Sequence, residues 1–161
     1  MNRRVWMQVA LFALLLSFDQ LSKWWIEQQI PFFTQTVIEG YFNLVRAHNF
    51  GVAFSVFDDW DSPWRTNLLL GVTIGIASVV TLWWWRERNN RGIEPWMLVM
   101  ILAGAVGNIW DRMVLGYVVD FVDWFFITDG VDYHWPAFNM ADAYISTAVV
   151  ILIATSAKRS E

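Results

Sequence analysis

Apolar residues dominate four long stretches of the chain, and polar residues interrupt these stretches at few positions. A helix needs about 20 mostly apolar residues to cross the hydrocarbon of a bilayer. The pattern therefore predicts an all-α membrane protein, folded as a single polytopic domain over residues 1–161. Its four transmembrane helices are expected over residues 5–26, 68–85, 95–114 and 141–157, with external loops at 27–67 and 115–140.

The two external loops differ in pattern. Residues 31–57 alternate β-branched and aromatic side chains around Gly40, which predicts short strands and a small external β-rich element. Residues 117–138 mix Trp, Phe and Tyr with acidic residues. We expect this second segment to lie along the outer membrane surface, partly as an external amphipathic helix.

Composition agrees with lipid as the solvent for much of the surface. The chain is 57% apolar and 16% charged, whereas soluble domains are about 45–50% apolar and about 25% charged. The absence of cysteine excludes disulfides, thiol nucleophiles and Cys-ligated zinc. His48 and His134 are the two histidines and form no His-Glu-x-x-His element, so we expect no metal and no cofactor. The chain has no continuous basic face in its sequence pattern, so we expect no nucleic-acid partner.

The distribution of basic residues predicts the orientation. Lys and Arg cluster at Arg3–Arg4, at residues 86–91 and at Lys158–Arg159. In a four-span chain these clusters share one side, which the positive-inside rule assigns to the cytoplasm. Both termini are therefore expected in the cytoplasm, and both long external loops are expected on the periplasmic side.

Asp19 and Lys23 lie four residues apart near the outer end of the first span, so they share one helix face and can pair. One interpretation is an ion pair that fixes the depth of the helix. The other is a pair that orients the surroundings of a nearby site, because ionisable groups inside spans usually face the bundle interior. The sequence leaves both open.

Asn108, Asp111 and Arg112 occupy the end of the third span. Packing and an interfacial ion pair account well for Asp111 and Arg112. Asn108 is harder to explain this way, because an amide that faced lipid would be unsatisfied. The small residues just before it, with Gly107, permit close helix approach.

Asp120 and Asp142 are the main candidates for catalytic residues, because each lies beside a span at the outer membrane boundary. Two carboxyl groups close together in a low-dielectric site share a proton, so one serves as general base and the other as general acid. A cap by Asn139 would place Asp142 in the first turn of the fourth helix, where the helix dipole favours the anion. We therefore expect Asp142 to ionise more easily and Asp120 to stay protonated. The alternative, that each is only a cap or a polar residue at headgroup level, remains open.

Four blocks together resemble the lipoprotein signal peptidase (signal peptidase II) family over essentially the whole chain. They are Asp19–Gln20–x–x–Lys23, Asn49–Phe50–Gly51–Val52–Ala53–Phe54, Gly107–Asn108–x–x–Asp111–Arg112 with Val118–Val119–Asp120–Phe121, and Phe138–Asn139–x–Ala141–Asp142.

The resemblance implies an aspartic endopeptidase with Asp120 and Asp142 as the catalytic pair. It implies binding or supporting roles for Asp19, Lys23, Asn49, Gly51, Phe54, Asn108, Asp111, Arg112, Phe138, Asn139 and Ala141. The implied substrates are prolipoproteins that carry diacylglycerol on the lipobox cysteine, cut on the amino side of that cysteine. The implied location is the bacterial inner membrane, in contact with membrane lipid, with globomycin as an inhibitor and a monomer as the active form. The stretch at 127–134 is longer than the family pattern needs.

Two other classes of protein compete with this interpretation. A small transporter would use Asp19 and Lys23 to line a pathway, but it predicts ionisable residues throughout the membrane depth rather than at one end. A scaffold or chaperone subunit would carry the two aspartates incidentally. An assay for cleavage of a lipidated prolipoprotein by the purified chain distinguishes the peptidase from the transporter and the scaffold.

Overall fold

A computed structural model of the chain describes residues 2–30, 35–51 and 64–157. The elements run in the order α1 (Arg3–Gln29), β1 (Gln35–Ile38), β2 (Phe42–Asn49), α2 (Trp64–Glu87), α3 (Glu94–Val114), β3 (Val118–Thr128), β4 (Val131–His134) and α4 (Met140–Ala157). Four helices are long and apolar enough to cross a membrane. The four predicted transmembrane helices are therefore confirmed, with α1 longer than expected at both ends.

Helix α3 lies at the centre of the bundle and packs against α1, α2 and α4. Its small residues make this possible. A Cβ on Gly104 would lie 2.5 Å from the carbonyl oxygen of Ala141, and a Cβ on Gly107 would lie 2.5 Å from the Asp19 carboxylate. The two glycines thus let the α3 backbone approach α4 and the buried acid of α1 more closely than any side chain permits.

We expect Gly104→Ala to lower the free energy of unfolding by about 1–3 kcal/mol, because the added methyl group meets backbone that cannot move aside. Gly75→Ala on α2 is the matched control, since a Cβ there meets no described atom within 4 Å. The control is expected to be neutral or slightly stabilising, because alanine favours helix. Equal thermal unfolding of the two variants in detergent would contradict the close α3–α4 contact.

The strands form one antiparallel sheet in the order β1-β2-β3-β4. Its inner end rests on the last turns of α1, where Ile26 and Ile30 pack with Val119 and Phe121 in a buried cluster. Because successive side chains of a strand point to opposite faces, this packing turns Asp120 towards α3 and α4. The predicted β-rich element is confirmed as β1 and β2.

The expectation of an amphipathic helix within residues 117–138 is wrong, because this segment forms β3 and β4. The two strands are joined by Asp129 and Gly130, which both have positive φ, at 52° and 75°. Asp-Gly is the typical two-residue hairpin turn, because both central positions need that conformation. The long stretch at 127–134 is the end of this hairpin.

Candidate active site

Asp120 lies on β3 opposite Ala47 of β2, and its side chain is 3% exposed. Its Oδ2 accepts a hydrogen bond from Asn49 Nδ2 at 2.9 Å, and its Oδ1 accepts one from Asn139 Nδ2 at 2.7 Å. Burial raises the pKa of Asp120 to about 6, because it penalises the charged form. The Asn49 and Asn139 hydrogen bonds lower this pKa, and the nearby charge of Asp142 raises it.

The amide of Asn49 is held in one orientation by the turn that follows β2. Asn49 Oδ1 accepts the backbone N–H of Gly51 at 2.7 Å, so the donor end of the amide faces Asp120. Gly51 has a φ of +99°, and a Cβ there would collide with the side chain of Leu69. Glycine is therefore required for the turn that aims Asn49.

Asp142 lies in the first turn of α4 and forms a reciprocal cap with Asn139. The Asp142 N–H donates to Asn139 Oδ1 at 3.0 Å, and the Asn139 N–H donates to Asp142 Oδ2 at 3.2 Å. Asn108 Nδ2 of α3 donates to the other oxygen, Oδ1, at 2.9 Å. Two donors and the positive end of the helix dipole thus surround this half-buried carboxylate.

Asn139 joins the two aspartates, because its side-chain amide bonds Asp120 while its backbone N–H bonds Asp142. Its neighbour Phe138 holds it against the sheet, since Phe138 O accepts the N–H of Val122 at 2.8 Å and Phe138 N donates to Val122 O at 3.1 Å. The sheet and the start of α4 are therefore joined at Asn139, the residue that contacts both carboxyl groups.

Lys23 lies beneath this pair and is 3% exposed. Its ammonium nitrogen lies 2.9 Å from Asp19 Oδ2, 2.9 Å from Asp111 Oδ2 and 2.9 Å from Asn108 Oδ1. All three of its donors have partners. Because an ammonium group only donates, Lys23 holds the oxygen of Asn108 and turns the amide nitrogen towards Asp142.

Asp19 and Arg112 are two further charged residues of the candidate site. Asp19 is fully buried, and its Oδ1 accepts the backbone N–H of Ala141 at 2.9 Å, which anchors the start of α4 to α1. Arg112 interacts electrostatically with Asp142, Asp120 and Asp111. It therefore supplies a positive charge near the pair without a hydrogen bond to either carboxylate among the described contacts.

The structure brings the predicted residues into one connected group at one end of the bundle, and Phe54 lies outside the described residues. Asp19 and Lys23 form the predicted ion pair and also contact residues that hold Asp142. Sequence reasoning missed Gln20, whose Nε2 donates to Asp111 Oδ1 at 2.9 Å and to Gly107 O at 3.3 Å. An amide inside an apolar span was the available signal, because it needs a partner there.

The four spans define a multi-pass membrane protein, and its fold is shared with two solved structures that are described as bacterial membrane enzymes. A solved structure described as "Bacterial membrane enzyme structure by the in meso method at 2.3 A resolution" superposes with a TM-score of 0.81 at 24% identity, covering 96% of this chain and 90% of that one. A second, described in the same words at 1.9 A resolution, gives a TM-score of 0.74 at 23% identity and covers 92% and 91% of the two chains.

Sequence comparison identifies the family within that class. Residues 11–158 match the family described as Signal peptidase (SPase) II. The lipoprotein signal peptidase of Solibacter usitatus (strain Ellin6076) is 35% identical over 150 residues, which are 92% of this chain and 88% of that protein. The lipoprotein signal peptidase of Cellvibrio japonicus (strain Ueda107) is 37% identical over 149 residues, 92% and 84% of the two chains. The chain belongs to the signal peptidase II family, and it is a peptidase of lipoprotein processing.

Proposed function

We propose that the chain is an aspartic endopeptidase that cleaves diacylglyceryl-modified prolipoproteins on the amino side of the lipidated cysteine. Asp120 and Asp142 activate the attacking water. The observation that carries the proposal is the double contact of Asn139, which bonds one carboxyl group through its side chain and the other through its backbone. A shared partner of this kind brings two acids near each other, and catalysis with a shared proton requires such proximity.

The two acids take different roles because their surroundings differ. Asp142 receives hydrogen bonds from Asn108 and from the Asn139 backbone at a helix N-terminus, so both of its carboxyl oxygens act as acceptors. Asp142 therefore takes a proton from water as the water oxygen attacks the scissile carbonyl. Asp120 is more deeply buried and stays protonated, so it gives its proton to the carbonyl oxygen. The proton held by Asp142 then passes to the departing amine as the C–N bond breaks, and one hydroxyl of the tetrahedral intermediate returns its proton to Asp120.

Orientation in the membrane follows from the two ends of the bundle. Arg4 Nη1 donates to Asn90 O and Gln8 Nε2 donates to Arg88 O, so the N-terminus and the α2–α3 connection share one end. The basic residues of that end support a cytoplasmic location under the positive-inside rule. The aspartate pair lies near the opposite end, and the proposed active site is therefore at the periplasmic face of the inner membrane.

Substrate reaches this site from the lipid phase. The signal helix and acyl chains are apolar, and each buried CH₂ contributes about 0.8 kcal/mol. A monomer, acting as one polytopic domain, is the active form in this proposal. Globomycin is expected to inhibit by occupying the same site, as the family resemblance implies.

Incubation of the purified protein with a diacylglyceryl-modified prolipoprotein tests the proposal. We expect mass spectrometry to show cleavage directly before the lipidated cysteine. The matched control is the same prolipoprotein with that cysteine replaced by serine, which cannot be lipidated. Cleavage elsewhere in the chain, or equal cleavage of the control, would contradict the proposed specificity. No cleavage by the folded protein would favour the scaffold or transporter alternatives.

The pKa of Asp120 predicts the pH dependence of kcat/KM. Asp120 must be protonated to act as the acid, so activity is expected to fall as pH rises through about 6. Asn49→Leu removes a hydrogen bond that lowers this pKa, so the pKa rises further and the fall moves to higher pH. The apparent values belong to the coupled pair. A fall that moves to lower pH in Asn49→Leu would reverse the assignment of the two roles.

A further inference from the structure

The β3–β4 hairpin carries four exposed aromatic residues on one face. Trp124 and Phe126 alternate along β3, while Tyr133 and Trp135 lie opposite them. Their side chains are 51%, 55%, 49% and 68% exposed, in that order. Phe126 and Tyr133 stack with ring centroids 5.3 Å apart. We call these four residues the aromatic face.

The other face of the same hairpin is more polar. Asp123 receives a hydrogen bond from Asn43 Nδ2 at 2.9 Å and contacts His134 Nδ1 at 2.8 Å. Asp132 lies on this face too, opposite Ile127. This face also carries Phe125 and Ile127, so the two faces differ in their acids rather than in apolar content alone. The aromatic face is left without cover from the described part of the chain. Exposed patches of this kind mark interaction surfaces.

The aromatic face continues from the membrane-spanning part of the molecule. Residues 115–117 join α3 to β3, and residues 135–139 join β4 to α4. Phe138, next to the first turn of α4, lines an open cavity of about 640 Å³ together with the four residues of the aromatic face and with Phe125 and His134. The aromatic face thus adjoins the end of a span, where headgroups begin.

We propose that the aromatic face lies in the lipid interface beside the active site, with zwitterionic phospholipid as its partner. Trp and Tyr favour that interface, because their rings are apolar and their polar atoms reach water. Residues 115–140 contain neither Lys nor Arg, and Asp129 and Asp132 lie near the hairpin tip. That charge disfavours anionic lipid and favours a neutral surface. Because β3 also carries Asp120, contact with lipid holds this acid at a fixed depth.

The absence of cysteine from the chain permits a direct test with single spin labels. Phe126→Cys and Ile127→Cys are the matched pair, since the two side chains are 55% and 54% exposed but point to opposite faces. Each labelled protein is reconstituted in phosphatidylcholine vesicles. We expect the label at 126 to collide several-fold more with oxygen, relative to a water-soluble nickel chelate, than the label at 127.

Equal access of the nickel chelate to both labels would overturn the proposal. Protection of the label at 126 only after prolipoprotein is added would also overturn it, because the face would then bind substrate rather than lipid. Cleavage activity of each labelled protein shows that it is folded. If Phe126→Cys does not fold, Tyr133→Cys and Asp132→Cys form a second pair on opposite faces of β4. The same comparison of oxygen and nickel-chelate access at these two labels then tests the proposal.

Discussion

Replacing Asp142 by asparagine is expected to reduce kcat for prolipoprotein cleavage by about 10²–10⁴-fold, because an amide cannot take a proton from water. Asp120→Asn is expected to cause a loss of the same order, because an amide cannot deliver a proton to the scissile carbonyl oxygen. The double variant should lose little more than either single variant, since residues that act as a unit are not additive. Timed cleavage of a lipidated prolipoprotein measures all three.

Asp123→Asn is the matched control for these variants. Asp123 is also a buried acid on β3, at 6% exposure, but it contacts Asn43 and His134 rather than Asp142. We expect this variant to keep activity within a few-fold of the original chain. Retained cleavage in folded Asp120→Asn or Asp142→Asn protein would show that the proton is not shared between these two groups. Equal losses in Asp120→Asn, Asp142→Asn and Asp123→Asn would indicate a general effect of removing an acid from this end of the bundle.

The helices could be predicted from the sequence because the bilayer imposes their length. Lipid offers no hydrogen-bond partner, so each span must be a continuous apolar helix of about 20 residues. The same rule identified Asn108 as a functional candidate, because an amide at that depth needs a partner. The structure supplies three such partners, Lys23, Asp142 and Asn139.

The hairpin could not be predicted as readily, because strand pairing depends on residues distant in sequence. Val119 pairs with His48, and Trp124 pairs with Phe42. The alternation of Trp124, Phe125 and Phe126 places bulky apolar groups on both faces, so the segment lacks a clear period of two. Asp129–Gly130 is a local signal for a hairpin turn, whereas the aromatic content of the segment favours a helix along the membrane surface.

Two of the three partners of Lys23 could not be predicted from sequence spacing. Asp19 lies one helical turn away and was predicted as its partner. Asn108 and Asp111 belong to α3, and their contact with Lys23 depends on how α1 packs against that helix. Close packing at Gly107 sets this distance, because its missing side chain makes room for the Asp19 carboxylate.

Lys23→Met is expected to lower the free energy of unfolding by about 3–5 kcal/mol, because it leaves Asp19 and Asp111 as buried carboxylates without their cation. Methionine keeps most of the length and removes the charge, so lost packing contributes little. Asn108 also loses the group that holds its oxygen, so kcat should fall in the protein that remains folded. Thermal or denaturant unfolding in detergent and the cleavage assay measure the two effects.

A second substitution separates lost charge balance from lost packing. In the Lys23→Met background, Asp111→Asn removes one of the two carboxylates that have lost their cation. The loss of unfolding free energy in the double variant should therefore be smaller than the sum of the losses in the two single variants. Gln8→Met is the matched control, since Gln8 is a fully buried polar residue of α1 at the other end of the bundle. The Gln8 side chain forms hydrogen bonds with Trp84 Nε1 and Arg88 O. Its replacement should therefore lower the free energy of unfolding by about 1–3 kcal/mol and leave kcat unchanged. Additive effects of Lys23→Met and Asp111→Asn, or an equal fall of kcat in Gln8→Met, would show that Lys23 acts only as a packed side chain.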